Sequence, residues 1–215
     1  MSLLAPIPSD VRVRRSVQLL GGLLVYGFSV GLLIEAALGI DPWDVFHQGI
    51  ALKTGISIGT ITIIVGVVVL LGWIPLKQRP GLGTVANAVI IGLAMDGSLN
   101  LLPTPDHIGW RTIFLVAGIA LGGIATGLYI GAGMGPGPRD GLMTGIAARG
   151  HSIRVVRTGL EVTVLAFGWI LGGNVGVGTV AYALLIGPIA HITIPAFTIG
   201  DARPAIPPDA HTSIP

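Results

Sequence analysis

The stretch GIDPWDVFHQG, residues 39–49, interrupts a long apolar run and decides how the rest of the chain is interpreted. Pro42 lacks a backbone N–H, which suits the first position of a helix, and Asp41 directly before it is a favourable N-cap. Asp44 follows in the first turn, where a carboxylate suits the positive end of the helix dipole. The pattern predicts a short helix of about 12 residues, only about 18 Å long, which is too short to cross a membrane.

The composition around this stretch is that of a membrane protein. Of 215 residues, 52% are hydrophobic and 10% are charged, whereas a soluble domain carries roughly 25% charged residues. The absence of cysteine excludes disulfides and thiolate metal sites. A net charge of +2 is too small and too scattered for a nucleic-acid surface. Most of the protein surface must therefore face the lipid bilayer.

Six apolar stretches are long enough to be membrane-spanning helices, which predicts an all-α membrane protein. They are residues 17–40, 58–76, 81–102, 112–134, 158–173 and 178–199, the fifth being the shortest. The first stretch follows a basic segment but lacks a small-residue cleavage site, so we expect it to remain as a span.

Arginine and lysine predict the orientation, because cytoplasmic loops carry most of them. With both termini in the cytoplasm, only Lys53 and Arg111 fall outside. The predicted parts are a cytoplasmic tail (1–16), a first membrane repeat (17–102), an external loop (103–111), a second membrane repeat (112–199) and a disordered, Pro-rich cytoplasmic tail (200–215).

An internal repeat divides the membrane region into two halves. A shift of 96 residues (140 − 44) places Pro42 on Pro138 and Asp44 on Asp140, and several glycines coincide as well. After one deletion the shift is 95, and GLGT at residues 81–84 meets GVGT at residues 176–179. Each half has three spans, an odd number, so the second half must enter the membrane from the opposite side. The sequence therefore predicts an inverted-topology repeat, which many secondary transporters share.

The second half repeats the opening stretch as GPRDGLMTGIAARGHS, residues 137–152. Both copies predict a short helix that is either interfacial or re-entrant. Asp41, Asp44 and Asp140 then have two interpretations: they cap and stabilise their own helices, or Asp44 and Asp140 line one central cavity. His47 lies three residues after Asp44, but the matching Met143 offers no further ligand, so we expect no metal site and no cofactor.

Charged groups inside the spans are candidates for a substrate or ion pathway, because burying a charge in a membrane is costly. These candidates are Glu35, Asp96 and His191, together with Trp43 and Arg139 from the two turns. Asp96 and His191 match under the shift of 95, which suggests that the repeat axis brings an acid and an imidazole together as a proton relay. A structural role for both is the alternative. Glu161 and Arg157 are spaced for an ordinary helix salt bridge.

Four glycines at helical spacing, Gly27, Gly31, Gly123 and Gly127, predict close helix packing. The seam would join the first and fourth spans, or two subunits of a homodimer. No nucleophile–histidine–acid set, zinc-protease motif or phosphate-binding loop is visible, so we expect no enzyme.

The D-P-W-D turn (Asp41–Asp44), the G-P-R-D-G turn (Gly137–Gly141) and the duplicated layout resemble the YczE/YyaS/YitT group of bacterial integral membrane proteins, and lie closest to the YczE branch. The resemblance implies a multi-pass protein of the bacterial plasma membrane. We therefore expect a secondary transporter or exporter of an unknown small molecule, with proton coupling left open. The alternative is a non-transporting scaffold or regulator of a partner protein.

Overall fold

The computed structural model describes residues 11–200, which form eight helices and no strand. In chain order they are α1 (Arg12–Ala36), α2 (Pro42–Thr54), α3 (Ile58–Leu76), α4 (Leu82–Leu99), α5 (Ile108–Gly131), α6 (Pro138–Ala147), α7 (Ile153–Ile170) and α8 (Val177–Phe197). The predicted all-α membrane class is confirmed. The predicted disordered tail from residue 201 onward and the first ten residues lie outside the described range.

Five of the helices within residues 11–200 are long and apolar enough to cross a membrane: α1, α3, α4, α5 and α8. The segment predicted as the fifth span does form a helix, α7, of 18 residues. It carries Arg154, Arg157 and Glu161 and is therefore not among these five. The two short helices predicted from the turns are α2, with 13 residues, and α6, with 10.

The helix boundaries repeat along the chain. α5 begins 96 residues after α1 (108 − 12), and α6 begins 96 residues after α2 (138 − 42). α7 and α8 begin 95 residues after α3 and α4 (153 − 58 and 177 − 82). The four helices of the first half thus reappear in the same order in the second half.

The two long helices α1 and α5 pack against each other in antiparallel directions. Arg15, near the start of α1, donates from Nη1 to the carbonyl of Ala132 at the end of α5 (2.8 Å). Arg111, near the start of α5, donates from Nε to the carbonyl of Ala36 at the end of α1 (2.7 Å). Each arginine satisfies a carbonyl that the other helix leaves unpaired at its end. These contacts define an Arg15 end and an Arg111 end of the bundle.

Glycines allow the helices of each half to approach closely. A Cβ on Gly27 would meet that of Ala94 in α4 at 2.5 Å, and a Cβ on Gly127 would meet that of Thr193 in α8 at 2.6 Å. Gly31 and Gly123 also face α4 and α8. These four glycines therefore pack α1 on α4 and α5 on α8, rather than α1 on α5 or one subunit on another. Gly22 is the glycine of α1 that contacts α5.

We expect Arg111→Ala to lower the stability by about 1–2 kcal/mol, because hydrogen bonds from charged donors contribute in this range and Arg111 is only partly buried. For a chain of this length, that corresponds to a fall in Tm of about 2–8 °C. Thermal unfolding of the detergent-purified protein measures it. Arg79→Ala, which removes an exposed arginine, is the control, and equal effects of the two variants would contradict the role given to Arg111.

Candidate functional site

The starts of α2 and α6 meet inside the bundle. α2 begins a few residues after the end of α1, at the Arg111 end, and α6 begins a few residues after the end of α5, at the Arg15 end. Arg139 in the first turn of α6 nevertheless reaches α2: its Nη1 lies 3.4 Å from Asp41 Oδ2 and its Nη2 lies 3.4 Å from Asp44 Oδ1. The two short helices therefore approach each other from opposite ends of the bundle.

Asp41 is both a helix cap and a partner of Arg139. Its Oδ1 accepts hydrogen bonds from the backbone N–H groups of Trp43 (2.7 Å) and Asp44 (3.1 Å), as predicted for an N-cap. The guanidinium carbon of Arg139 also lies 5.4 Å from the centre of the Trp43 ring, within the range of a cation–π contact. One arginine thus holds the capping carboxylate, the first-turn carboxylate and the indole of α2.

His47 extends this group toward α3. Its Nδ1 lies 3.0 Å from Asp44 Oδ1 and 3.2 Å from the hydroxyl of Thr62. Because the Thr62 hydroxyl donates its hydrogen to the carbonyl of Ile58 (2.9 Å), the network assigns the ring hydrogen to Nδ1 of His47. The other ring nitrogen, Nε2, then remains an acceptor. Asp41, Trp43, Asp44, His47, Thr62 and Arg139 together form what we call the central cluster.

Two buried polar atoms of the central cluster have no hydrogen-bond partner among residues 11–200. They are Nε1 of Trp43 and Oδ2 of Asp44, on residues that are 6% and 0% exposed. A cavity of about 20 Å³ lies beside Trp43; its polar lining comes from Trp43, His47, Thr62, Asn87 and Arg139, and the rest of its lining is apolar. Such a volume holds a single water molecule, which needs about 10–15 Å³. An unmet donor, an unmet acceptor and a small cavity with a few polar groups in an apolar lining are the features of a small binding site.

All three tyrosines of the chain surround the central cluster. The hydroxyl of Tyr129 donates to Asp140 Oδ2 (3.1 Å), and the hydroxyls of Tyr26 and Tyr182 lie 3.3 Å apart. The rings of Tyr26 and Tyr129 pack edge to face at 6.1 Å. Sequence reasoning missed these residues because each stands alone in a different apolar helix. A phenol in a span is itself a signal, since a buried hydroxyl needs a partner.

Negative side chains outnumber positive ones at the site. Asp41, Asp44 and Asp140 contribute three carboxyl groups, whereas among residues 11–200 Arg139 is the one guanidinium in direct contact with two of them. The positive ends of two helix dipoles compensate in part. The remaining imbalance favours binding of protons or of a cationic group, since uncompensated buried charge is costly.

The structure brings together some of the predicted pathway residues. Trp43, Asp44 and Arg139 belong to the central cluster, and Asp140 lies next to it, bonded to Tyr129 rather than to Asp44. His47, which the comparison with Met143 had set aside, belongs to the cluster. Matching residues of the two halves need not have the same role, because Arg139 occupies the position that matches Trp43.

Asp96 and His191 lie toward opposite ends of the bundle. Asp96 accepts from the Ser57 hydroxyl (2.6 Å) and from the backbone of Gly59 (2.8 Å), and so caps the start of α3. His191 is exposed on α8. α4 starts at the loop that follows α5, and α8 starts at the loop that follows α1, so their last turns point in opposite directions. The suggested acid–imidazole pair is therefore not formed.

The remaining charges also lie outside the central cluster. Glu35 accepts a hydrogen bond from the hydroxyl of Thr104, in the loop after α4. The predicted salt bridge within α7 is confirmed, with 2.9 Å between Arg157 Nε and Glu161 Oε1.

Comparison with known proteins places this architecture among membrane proteins. Residues 13–195 match the family of unknown function DUF6198. An uncharacterized protein of Haemophilus influenzae is 44% identical over 174 residues, 80% of either chain. The uncharacterized membrane protein YczE of Bacillus subtilis is 38% identical over 178 residues, 81% of this chain and 82% of its own. YyaS of Bacillus subtilis is 25% identical over 181 residues, 81% and 89% of the two chains. No solved structure matches.

Proposed function

Because this chain belongs to the DUF6198 family and is a membrane protein of the YczE/YyaS group, we propose that it is a secondary transporter of a small molecule. We further propose six spans, with α7 as the sixth beside the five more apolar helices, and both termini in the cytoplasm of a bacterium. The reciprocal contacts of Arg15 and Arg111 support an inverted repeat, since they require α1 and α5 to run in opposite directions.

The observation that carries this proposal is the meeting of two short helices at a buried charged site. In transporters built from inverted repeats, interrupted helices direct their N-termini at a binding site near the middle of the membrane. The starts of α2 and α6 come from opposite ends of the bundle and are joined by Arg139. The unpaired atoms Trp43 Nε1 and Asp44 Oδ2 support a ligand there.

The chemistry of the central cluster suits exchange of a cationic group for protons. Asp44 is the group that would receive the ligand, because one of its oxygens is unpaired and the other is shared by Arg139 and His47. A proton bound to Asp44 and a cationic ligand beside it would compete for the same carboxylate. Such competition couples the movement of one to the movement of the other.

A non-transporting scaffold is the second candidate, and one observation favours it. The cavity beside the central cluster has a volume of only about 20 Å³, and Arg139 bridges the two helix starts through Asp41 and Asp44. In that function the cluster would be a permanent link between the halves of the bundle. Asp44 would then be needed for folding and for nothing else.

We expect deletion of the gene to change the level of one compound class inside the cells relative to the medium, and Asp44→Asn to reproduce that change at a normal protein level. Metabolite profiling of the deletion strain, complemented with each variant, measures this. Asp106→Asn, a carboxylate in an exposed loop, is the matched control and should restore the original profile. The transport proposal fails if no compound differs, or if Asp44→Asn complements fully.

A further inference from the structure

The two halves of the bundle differ in how their last two helices pack: α3 packs on α4, whereas α7 makes no comparable contact with α8. On the α3–α4 side, the backbones at Gly59 and Gly92 are in contact. A Cβ on Gly66 would lie 3.3 Å from that of Ala88. The two hydrogen bonds from the start of α3 to Asp96 complete this closed face.

The matching residues on the other side are apart. Within α3 and α7 the residues correspond at a shift of 96, which aligns LGWI (71–74) with FGWI (167–170). Ile63 contacts Gly92. Their counterparts, Gly159 and Gly187, each have open space around a Cβ. Val162 and Ala183, the counterparts of Gly66 and Ala88, are exposed. His191, which matches Asp96, is exposed as well. The contacts that close one half are thus absent from the other, although the positions correspond.

Polar groups run from this open side to the central cluster. The side chain of Arg157 on α7 is 57% exposed and is paired with Glu161. Arg157 also interacts electrostatically with Asp140 and with Tyr182, which surround the cluster. Arg139 follows at 24% exposure, and Asp44 lies fully buried at the end of the path. A charged face of this kind is costly against lipid but stable beside water.

The loop between α7 and α8 is held at the Arg111 end, where Gly178 N–H donates to the carbonyl of Leu38 (2.7 Å), just after α1. The end of α8 and the residues just after it are bonded to α1 and α5, through Gln18 to Phe197 and Ile199 to Gly131. Within residues 11–200, no hydrogen bond joins the start of α7 to the end of α8. We call the space between them, bordered by Arg157, Gly159, Glu161 and Gly187, the α7–α8 cleft.

We propose that the α7–α8 cleft is the path by which a polar substrate reaches the central cluster, and that this structure is one of two interchangeable conformations. In the other, α7 closes on α8, with Gly159 against Gly187, while α3 separates from α4 and opens a path at the Arg111 end. This inference rests on the proposed transport function. Matching sequences in two inverted halves can adopt each other's arrangement, which produces alternating access.

Disulfide trapping tests this directly, because the chain contains no cysteine of its own. One pair, Gly66→Cys with Ala88→Cys, reports closure of α3 on α4, and its Cβ separation of 3.3 Å is close to the roughly 3.5–4.5 Å of disulfides. The matched pair, Val162→Cys with Ala183→Cys, reports closure of α7 on α8. Oxidation in native membranes, followed by thiol-specific mass tagging on a gel, measures each bond.

We expect both pairs to cross-link, and a variant with all four cysteines to form either bond but not both in one molecule. Val162→Cys with Val89→Cys, which joins exposed positions on non-matching faces, is the control for random collision and should give several-fold less product. The inference is overturned if the α7–α8 pair reacts no better than this control, or if both bonds form together. If the two disulfides exclude each other but deletion of the gene changes no metabolite level, the transport function is refuted. The two conformations are then still supported.

Discussion

Arg139→Gln should destabilise the protein by about 3–5 kcal/mol, the usual cost of removing one partner of a buried ion pair. Asp41 and Asp44 are 3% and 0% exposed, and Arg139 is the cation that contacts both. Without it, two neighbouring carboxylates remain buried with no opposite charge, and the starts of α2 and α6 lose their link. Thermal or denaturant unfolding in detergent measures the loss.

A second substitution separates the charge effect from general disruption. Asp44→Asn in the Arg139→Gln background removes one of the two uncompensated carboxylates, so the double variant should be more stable than Arg139→Gln alone. The two changes should therefore be strongly non-additive, as expected for groups in one network. If the losses simply add, Arg139 and Asp44 do not compensate each other and the description of the central cluster is wrong.

Gly141→Ala should lower the free energy of unfolding by about 1–3 kcal/mol or more through overpacking. A Cβ at this position in α6 would overlap the ring of Trp73, which is 2% exposed. The ring cannot move aside easily, because its Nε1 donates a hydrogen bond to the carbonyl of Pro138 (3.0 Å). The thermal unfolding midpoint of the purified protein reports the loss.

The matched control is Gly21→Ala in α1, where a Cβ would meet nothing within 4 Å. That variant should be neutral or gain up to about 1 kcal/mol from the better helix propensity of alanine. Trp73→Leu should also remove most of the penalty of Gly141→Ala when the two are combined. A Gly141→Ala protein as stable as Gly21→Ala would show that α6 does not pack on α3 as described.

Local chemistry was predictable from the sequence, because it depends on neighbours in the chain. Pro42 and Asp41 mark the start of α2 through backbone effects that act within one turn, and the i,i+4 spacing of Arg157 and Glu161 determines their salt bridge. Length and apolarity likewise identify the spans without reference to packing. α7 is the exception, because its three charged residues keep it outside the five helices that length and apolarity identify within residues 11–200.

Contacts between the halves were harder to predict, for a geometric reason. A repeat identifies which residues correspond, but two corresponding residues meet only if they lie near the axis that relates them. The starts of α2 and α6 satisfy this condition, so Trp43 and its counterpart Arg139 meet. Asp96 and His191 lie toward the ends of their helices, so the same correspondence keeps them apart. The tyrosines have no corresponding tyrosines, so the repeat gave no indication of their position.

The exchanged arginines have a consequence for biosynthesis. Ala36 is synthesised 75 residues before Arg111, which donates the hydrogen bond to its carbonyl. Arg15 is synthesised 117 residues before Ala132, whose carbonyl accepts its hydrogen bond. Neither end of the α1–α5 pair can therefore be completed while only the first half has been inserted into the membrane. Final assembly has to wait for translation of the second half, and a chain truncated between the halves would expose unpaired carbonyl groups to the insertion and quality-control machinery.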